Sequence, residues 1–495
     1  MTPSISPQKT MSTLTHSLDY DSEQFHAILQ KLEQMLLQLY ADAPQQKGFH
    51  AYEPKEVAAW FDEPLPQQAS DPFALLDLVK AKVLDTATGN LGPNMYAYVM
   101  AGGNQISTIA DFLTSTINQN ATKWHLGHAM TEIEKRVVKW TAEMLGYTPD
   151  AGGVMVSGGS AATLTGLTVA RNVFFREHKI NQQGLFGRKP FTLYCSTETH
   201  NSTDKSVALL GIGTDNLRRI PATADFKMDI LALQAQIEKD LADGYTPFCI
   251  VGNAGTVNTG AIDDLTALSQ VAKQYGMWFH VDGAYGGLIA SLEELKPLYA
   301  GIELADSIAL DFHKWLYQPF EIGCTLVRSW GALRESYFKQ ADYLDTSLEA
   351  SNQRLEFNEH YFQLSRNAKA FKVWMSLKAY GFAQIQNMMR KDLALTRYLE
   401  QKLDESEDFE LLTQSDLAIA CFRYRGNLTD ENAITELNQA LIPALENDGR
   451  VFITGTRLKG QFVLRACIIN HRKTEASIDY LLEVIRDVGS RIVSQ

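Results

Sequence analysis

From about residue 95 to residue 328 the sequence alternates short apolar runs with stretches of helical spacing, and this alternation constrains the fold more than any other feature. The runs at 192–195, 248–251, 278–281, 307–310 and 324–327 are apolar at consecutive positions, as strands covered on both faces require. Helical spacing at 106–118, at 132–145 and between the runs can supply the cover. The expected architecture is an α/β fold with a mostly parallel central sheet and helices on both faces. In such sheets ligands lie beyond the carboxyl ends of the strands, which fixes where functional residues should be sought.

At 495 residues the chain exceeds one core, so two domains and a terminal segment are expected. A net charge of −13 argues against nucleic acid or an anionic membrane as the main partner. Cys195, Cys249, Cys324, Cys421 and Cys467 are scattered, mostly within apolar runs, with no CxxC or Cys/His cluster to hold a metal. They read as buried thiols of a reducing compartment. No basic stretch followed by an apolar core opens the chain, and no run approaches a membrane span. A cytoplasmic protein is the expectation.

Phe25, Ile28, Leu29, Leu32, Met35, Leu36 and Leu39 keep helical spacing and predict an amphipathic helix that ends at Ala43-Pro44 and needs a surface to cover. Residues 63–72 read as a linker. The polar, tyrosine-rich stretch 330–362 reads as a long mobile loop of functional type. Beyond it a helix at 368–380 stops at Gly381; strands at 417–424, 450–454 and 462–469 with helices at 430–441 and 474–488 predict a small α+β domain. The expected division is a helical arm (1–90), a large domain containing the loop (91–365) and a small C-terminal domain (366–495).

Two segments carry the strongest chemical signal. Phe279-His280-Val281-Asp282-Gly283-Ala284-Tyr285-Gly286-Gly287 ends one strand on a carboxylate, and Asp311-Phe312-His313-Lys314-Trp315 ends the next on an amine. A lysine that can capture an aldehyde and an aspartate that can keep a pyridine nitrogen protonated are what pyridoxal phosphate (PLP) chemistry requires. Alone, Lys314 is most simply a solvated lysine, and Asp282 a helix cap or a member of an ion pair. Paired at this separation, each after its own strand, they favour the cofactor. Val156-Ser157-Gly158-Gly159-Ser160 precedes a helix whose free amides, with the Ser160 hydroxyl, can bind phosphate; taken alone, a Gly turn with a serine cap is the preferred reading. His313 can add a phosphate hydrogen bond. His200 is either a ring stacked on a pyridine or an ordinary histidine, and Thr256 either donates to a cofactor or makes a turn. Arg465, amid Phe462-Val463-Leu464-Arg465-Ala466-Cys467, needs an anion, which is either a substrate carboxylate or the other half of a buried salt bridge.

Taken in order, Ser157-Gly158-Gly159-Ser160, His200, Gly255-Thr256, the Asp282 segment, His313-Lys314-Trp315 and Arg465 resemble the group II PLP-dependent amino-acid decarboxylases, the family of aromatic amino-acid, glutamate and cysteine-sulfinate decarboxylases. The resemblance runs from about Leu91 to the C-terminus and is nearest to the aromatic branch. It implies a PLP enzyme of fold type I, a homodimer with interfacial active sites and intertwined N-terminal arms, and loss of carbon dioxide from an L-amino acid. It further implies that Lys314 links covalently to the cofactor, Asp282 partners the pyridinium and His200 stacks on the ring. Gly159, Ser160, Asp311 and His313 would surround the phosphate, Thr256 and Ala284 would contact the cofactor, and Arg465 would hold the substrate carboxylate side. Gly283, Phe312 and Val257 depart from the residues common at their places without removing a catalytic group. The family takes its proton from a loop tyrosine. Counting back from Leu364-Ser365-Arg366 puts Phe357 near that place, between Tyr343 and Tyr361, so the donor stays open.

The segment Gly92-Pro93-Asn94-Met95-Tyr96-Ala97-Tyr98-Val99-Met100 resembles the family's pocket lining and is aromatic here, with Tyr98 and Trp124 as candidate walls. The expected substrate is tryptophan, tyrosine or dihydroxyphenylalanine. Three rivals stand beside it: a glutamate, aspartate or diaminobutyrate decarboxylase; an aldehyde synthase, if Phe357 replaces the loop acid and oxygen captures the carbanion; and a silent PLP-binding dimer.

Overall fold

The structure, a computed structural model, describes residues 18–339 and 354–494. Its main sheet has seven strands: β1 (Gly152–Val156), β2 (Phe191–Ser196), β3 (Leu217–Ile220), β4 (Thr246–Asn253), β5 (Trp278–Gly283), β6 (Ser307–Asp311) and β7 (Gly323–Val327), in the order β1-β7-β6-β5-β4-β2-β3. β7 is antiparallel to β1 and β6, and the remaining neighbours are parallel. Burial alternates between faces: Leu193, Cys195, Cys249 and Val251 pack with Leu167 and Ala170, whereas Tyr194, Ile250, Phe279 and Val281 join the larger core with Val137 and Leu268. Both faces are covered, as consecutive apolar positions demand.

Helices α1 (Ser22–Asp42), α2 (Pro72–Val79), α3 (Gln105–Ile117) and α4 (His128–Met144) precede the sheet, and α5 (Gly159–Phe174) follows β1 directly. Asp21 caps α1 by accepting from the Gln24 N–H at 2.8 Å, yet α1 has no buried residue. Beyond the main sheet, α6 (Ala370–Tyr380) and α7 (Phe382–Asp404) meet at Gly381, whose φ of +74° suits a residue without a Cβ. Strands β8 (Phe409–Leu411), β9 (Ile419–Tyr424), β10 (Thr454–Leu458) and β11 (Gln461–Cys467) form an antiparallel sheet in the order β10-β11-β9-β8, accompanied by α8 (Glu431–Asp448) and α9 (Glu475–Val493).

Three local expectations change. Residues 450–453 are not a strand; Phe452 makes a single bridge to Met95, and β10 starts at Thr454. The described ends of 330–362 are folded rather than looped, as the helix Trp330–Tyr337 and the turn Phe357–Glu359, because Leu333 and Phe357 are drawn into the core. β1 went unforeseen because Gly152-Gly153 looks like a turn. Packing explains the glycine, since a Cβ on Gly153 would lie 2.8 Å from the Thr325 carbonyl oxygen.

Candidate active site

Parallel pairing of β4, β5 and β6 sets Asn253 opposite Asp282 and Asp282 opposite Ala309, so Asn253, Asp282 and Asp311 reach the same carboxyl edge. A cavity of about 790 Å³ opens there, a size typical of small-molecule sites. The short helix Phe312–Trp315 begins as β6 ends and directs Lys314 into the cavity, where its Nζ lies 3.6 Å from Asp311 Oδ2. Asp282 is 7% exposed, and its Oδ1 accepts from the Ala284 N–H at 3.1 Å. Burial pushes the Asp282 carboxyl above its ordinary range, opposed by that N–H and by the charges of Lys314 and His200. His200 follows β2 and faces the cavity. Its Nδ1 accepts from the Ser202 N–H at 3.2 Å, which leaves the ring proton on Nε2. Burial lowers its pKa, Asp282 opposes and Lys314 reinforces that shift, so the ring is neutral near pH 7.

At another wall, Ser157 to Ser160 lead into α5, and the Gly159 N–H donates to Asp311 Oδ2 at 3.1 Å. A Cβ on Gly159 would sit 2.9 Å from Ala284 Cβ and 3.2 Å from Asp311 Oδ2, so this cradle admits only glycine. Ser160 lies in the first turn of α5, where unpaired amides and the helix dipole favour an anion. His313 Nδ1 and Asp311 Oδ1 approach to 2.7 Å without hydrogen-bond alignment, and among the described residues neither atom has another hydrogen-bond partner. Thr256 also lines the cavity; its hydroxyl accepts from the Ala261 N–H at 3.1 Å, so it makes a turn as well.

Arg465 projects from β11 and donates to the Val257 carbonyl at 2.9 and 2.6 Å and to the Tyr98 carbonyl at 3.0 Å. Among the described residues no carboxylate lies within ion-pair distance of it, so none of them supplies the partner of a buried salt bridge. Tyr98 lines the cavity at a φ of +57°, with Phe452 edge-on at 6.0 Å. Trp124 does not line the cavity of its own chain: its Nε1 donates to Glu132 at 3.2 Å, and the Arg354 guanidinium lies 4.5 Å over its ring. Phe357 and Tyr361 are also away from it. Both are buried with Val154, Val156 and Ala309, under the Arg366 guanidinium. Phe357 thus lines no part of the described cavity, and Tyr343 lies outside the described residues, so the proton donor stays open.

Sequence reasoning missed Asn253. Its Nδ2 donates to Asp263 Oδ2 at 2.8 Å and to Thr199 Oγ1 at 3.0 Å, and its backbone N–H donates to the same Asp263 oxygen at 2.8 Å, so it joins the end of β4 to the residue preceding His200. An asparagine one glycine beyond the apolar run at 248–251 was the available signal. Ile442 and Glu446 reach the cavity from α8, which no local pattern announces.

A glycine-only cradle at a helix start, with a lysine and a buried aspartate delivered to one cavity, fits a phosphorylated pyridoxal. The architecture is that of the fold-type-I PLP enzymes. A model of the pyridoxal-dependent decarboxylase conserved domain matches residues 54–425, and the chain belongs to that family. It is thus a PLP-dependent amino-acid decarboxylase, a lyase. It is 33% identical to an aromatic-L-amino-acid decarboxylase of Bacillus atrophaeus over 87% of this chain and 88% of the relative. It is 28% identical to a 4-hydroxyphenylacetaldehyde synthase of Rhodiola rosea over 89% and 91% of the two chains. The crystal structure of Oryza sativa TDC with PLP and tryptamine superposes with a TM-score of 0.91 at 24% identity, covering 96% of this chain and all of that one, a likeness of fold.

Proposed function

We propose that this protein removes the α-carboxylate of an aromatic L-amino acid, as a cytoplasmic homodimer whose parts are an N-terminal arm (1–90), a PLP-binding domain (91–365) and a C-terminal domain (366–495). The observation that carries the reading is the convergence of Lys314, Asp282, His200 and the Gly159-Ser160 cradle on one cavity. PLP bound there supplies an aldehyde for amine capture and a pyridine ring that accepts an electron pair. Lys314 holds the cofactor covalently, Asp282 holds a proton on the pyridine nitrogen, and the flat neutral ring of His200 covers a face of it. Gly159, Ser160, Asp311 and His313 surround the phosphate, with the α5 amides, the Ser160 hydroxyl and His313 as donors, while Thr256 and Ala284 bound the cofactor. Arg465 exchanges carbonyl partners for the substrate carboxylate, a stronger charge-assisted bond.

Charge supports an aromatic side chain. Among the described residues lining the cavity, Lys314 and Arg465 are the only lysine and arginine, whereas Asp282, Asp311, Glu321 and Glu446 are acidic side chains. A substrate with a second carboxylate would need a further cation. Tyr98 offers an aromatic wall, and the Bacillus relative is named for aromatic substrates. Burial of Phe357 away from the cavity supports the decarboxylase over the aldehyde synthase.

An amino-acid panel scored together for carbon dioxide, amine, ammonia and peroxide tests this. Tryptophan, tyrosine or dihydroxyphenylalanine should give amine and carbon dioxide in equal amounts. Faster turnover of glutamate, aspartate or diaminobutyrate would overturn the substrate class. Peroxide with ammonia would indicate the aldehyde synthase, and a yellow protein without turnover the silent dimer.

A further inference from the structure

The turn that carries Lys314 is fastened from a distant part of the chain. Just past the short helix Phe312–Trp315, Tyr317 adopts a φ of +51°, a left-handed conformation unfavourable for a residue with a Cβ. In that conformation its N–H donates to the Lys314 carbonyl at 3.2 Å and closes the lysine's own turn. The Tyr317 carbonyl accepts from the Asn104 N–H at 3.0 Å and from its side-chain amide at 2.9 Å, and the His471 ring stands edge-on at 5.4 Å. The Tyr317 hydroxyl donates to Asp392 Oδ2 at 2.9 Å.

Asp392 sits on α7 and is fully buried. Among the described residues its Oδ1 has no aligned hydrogen-bond partner and it makes no salt bridge, although the Asn470 N–H and the Lys473 and Lys391 ammonium groups face the carboxyl. A buried carboxylate so sparsely paired is a poor way to fill a core. Its one side-chain hydrogen bond goes to the residue that shapes the Lys314 turn.

We propose that Asp392 is a positioning residue for Lys314: by holding the Tyr317 hydroxyl it locks the left-handed turn, and with it the direction in which the lysine side chain enters the cavity. The inference rests on the reading of Lys314 as the cofactor-bearing lysine. A loosened turn lets the amine swing away from productive geometry, and small misplacements of a reacting group are costly in rate. The link also ties the C-terminal part of the chain to the chemistry of the main sheet.

The test uses PLP-loaded enzyme and the variants Tyr317→Phe, Asp392→Leu, Asp392→Asn and the double variant Tyr317→Phe/Asp392→Leu. Borohydride reduction followed by peptide mass first locates the cofactor in the unaltered protein. A label elsewhere than Lys314 overturns the functional reading; a label on Lys314 leaves that reading standing and puts only the Asp392 role at stake. Tyr317→Phe and Asp392→Leu should each lower kcat by about ten- to a hundredfold with KM nearly constant, and should slow borohydride labelling of Lys314. Asp392→Asn keeps an acceptor for the hydroxyl and should restore both readouts. The double variant should cost no more than the worse single one, since both break one contact. Unchanged kcat and labelling in Tyr317→Phe, failure of Asp392→Asn to rescue, or additive losses would each overturn the proposal. Tyr317→Phe removes a single oxygen, so it answers the question even where Asp392→Leu does not fold.

Discussion

Lys314 and Asp282 make different demands on the same cavity, and their substitution should separate them. Lys314→Ala removes the amine and leaves the cradle around Gly159 intact. The expected outcome is PLP bound without a borohydride-stable mass adduct and a loss of turnover of about a hundredfold or more; a normal adduct would remove Lys314 from the scheme. Asp282→Ala should retain some PLP yet lose turnover by about a hundredfold, the scale of deleting one preorganised charge, and near-normal carbon dioxide release would refute its role. Asp392 makes a pH prediction. Burial pushes its carboxyl up to about 7, opposed by the Tyr317 hydrogen bond and by Lys473 and Lys391. The folded state therefore binds this proton more tightly than the unfolded chain does, so its stabilising contribution is present at low pH and lost as pH rises towards 7. Lys473, lowered to about 7 by its own burial, titrates in both proteins. Denaturant unfolding of the cofactor-free forms should show unaltered protein losing stability relative to Asp392→Asn between pH 5 and 7, by on the order of 2 kcal/mol. A pH-independent difference would contradict the assignment.

The elements that serve the site do so through their ends. β4 delivers Asn253, which is fastened by Asp263; that fully buried carboxylate also accepts from the Met228 N–H at 2.7 Å. Asp263→Ala leaves these donors without an acceptor and should lower unfolding free energy by about 3 kcal/mol, with lower turnover through the Asn253–Thr199 link to His200; a loss under about 1 kcal/mol would show that the network relaxes. Elements of this kind were legible in the sequence where an apolar run stopped abruptly at a polar residue, as at Asp282 and Asp311. β3 was not, because this edge strand carries Arg218 and Arg219, which are paired with Asp240 and Asp204 and break the apolar signal. Trp124 and Phe357 lie away from the described cavity for a different reason. Aromatic character and sequence offset are local, whereas the half-buried Trp124 is covered by Arg354 and the buried Phe357 lies under Arg366, both from elsewhere in the chain. Arg465 shows the intermediate case: a partner was foreseen, but the partners are carbonyls.

At the scale of the whole molecule, what stands unexplained within one chain is apolar surface. On α3, Ile109, Phe112, Leu113 and Ile117 fall at helical spacing and are all exposed, Phe112 by 52%. α1 adds Phe25 and Leu37, the latter 63% exposed, and is held to the rest of the chain by little more than the Lys31 contacts with Phe73 and Asp77 and the approach of Tyr40 to Thr108. Patches of this kind on a stable protein mark an interface, and a second copy of the chain is the proposed cover. Phe112→Glu/Leu113→Glu tests it on residues that take no part in the chain's own core. Burying two carboxylates against apolar surface should cost at least about 4 kcal/mol, raising the dimer dissociation constant about a thousandfold. Light scattering on eluting protein should then report a folded monomer at concentrations where the unaltered chain is dimeric. If the active site needs its partner, carbon dioxide release should fall with the dimer fraction and recover as concentration rises. An unaltered dimer would place the interface elsewhere, whereas a fully active monomer would show that one chain suffices for catalysis and that the apolar stripe of α3 serves another purpose.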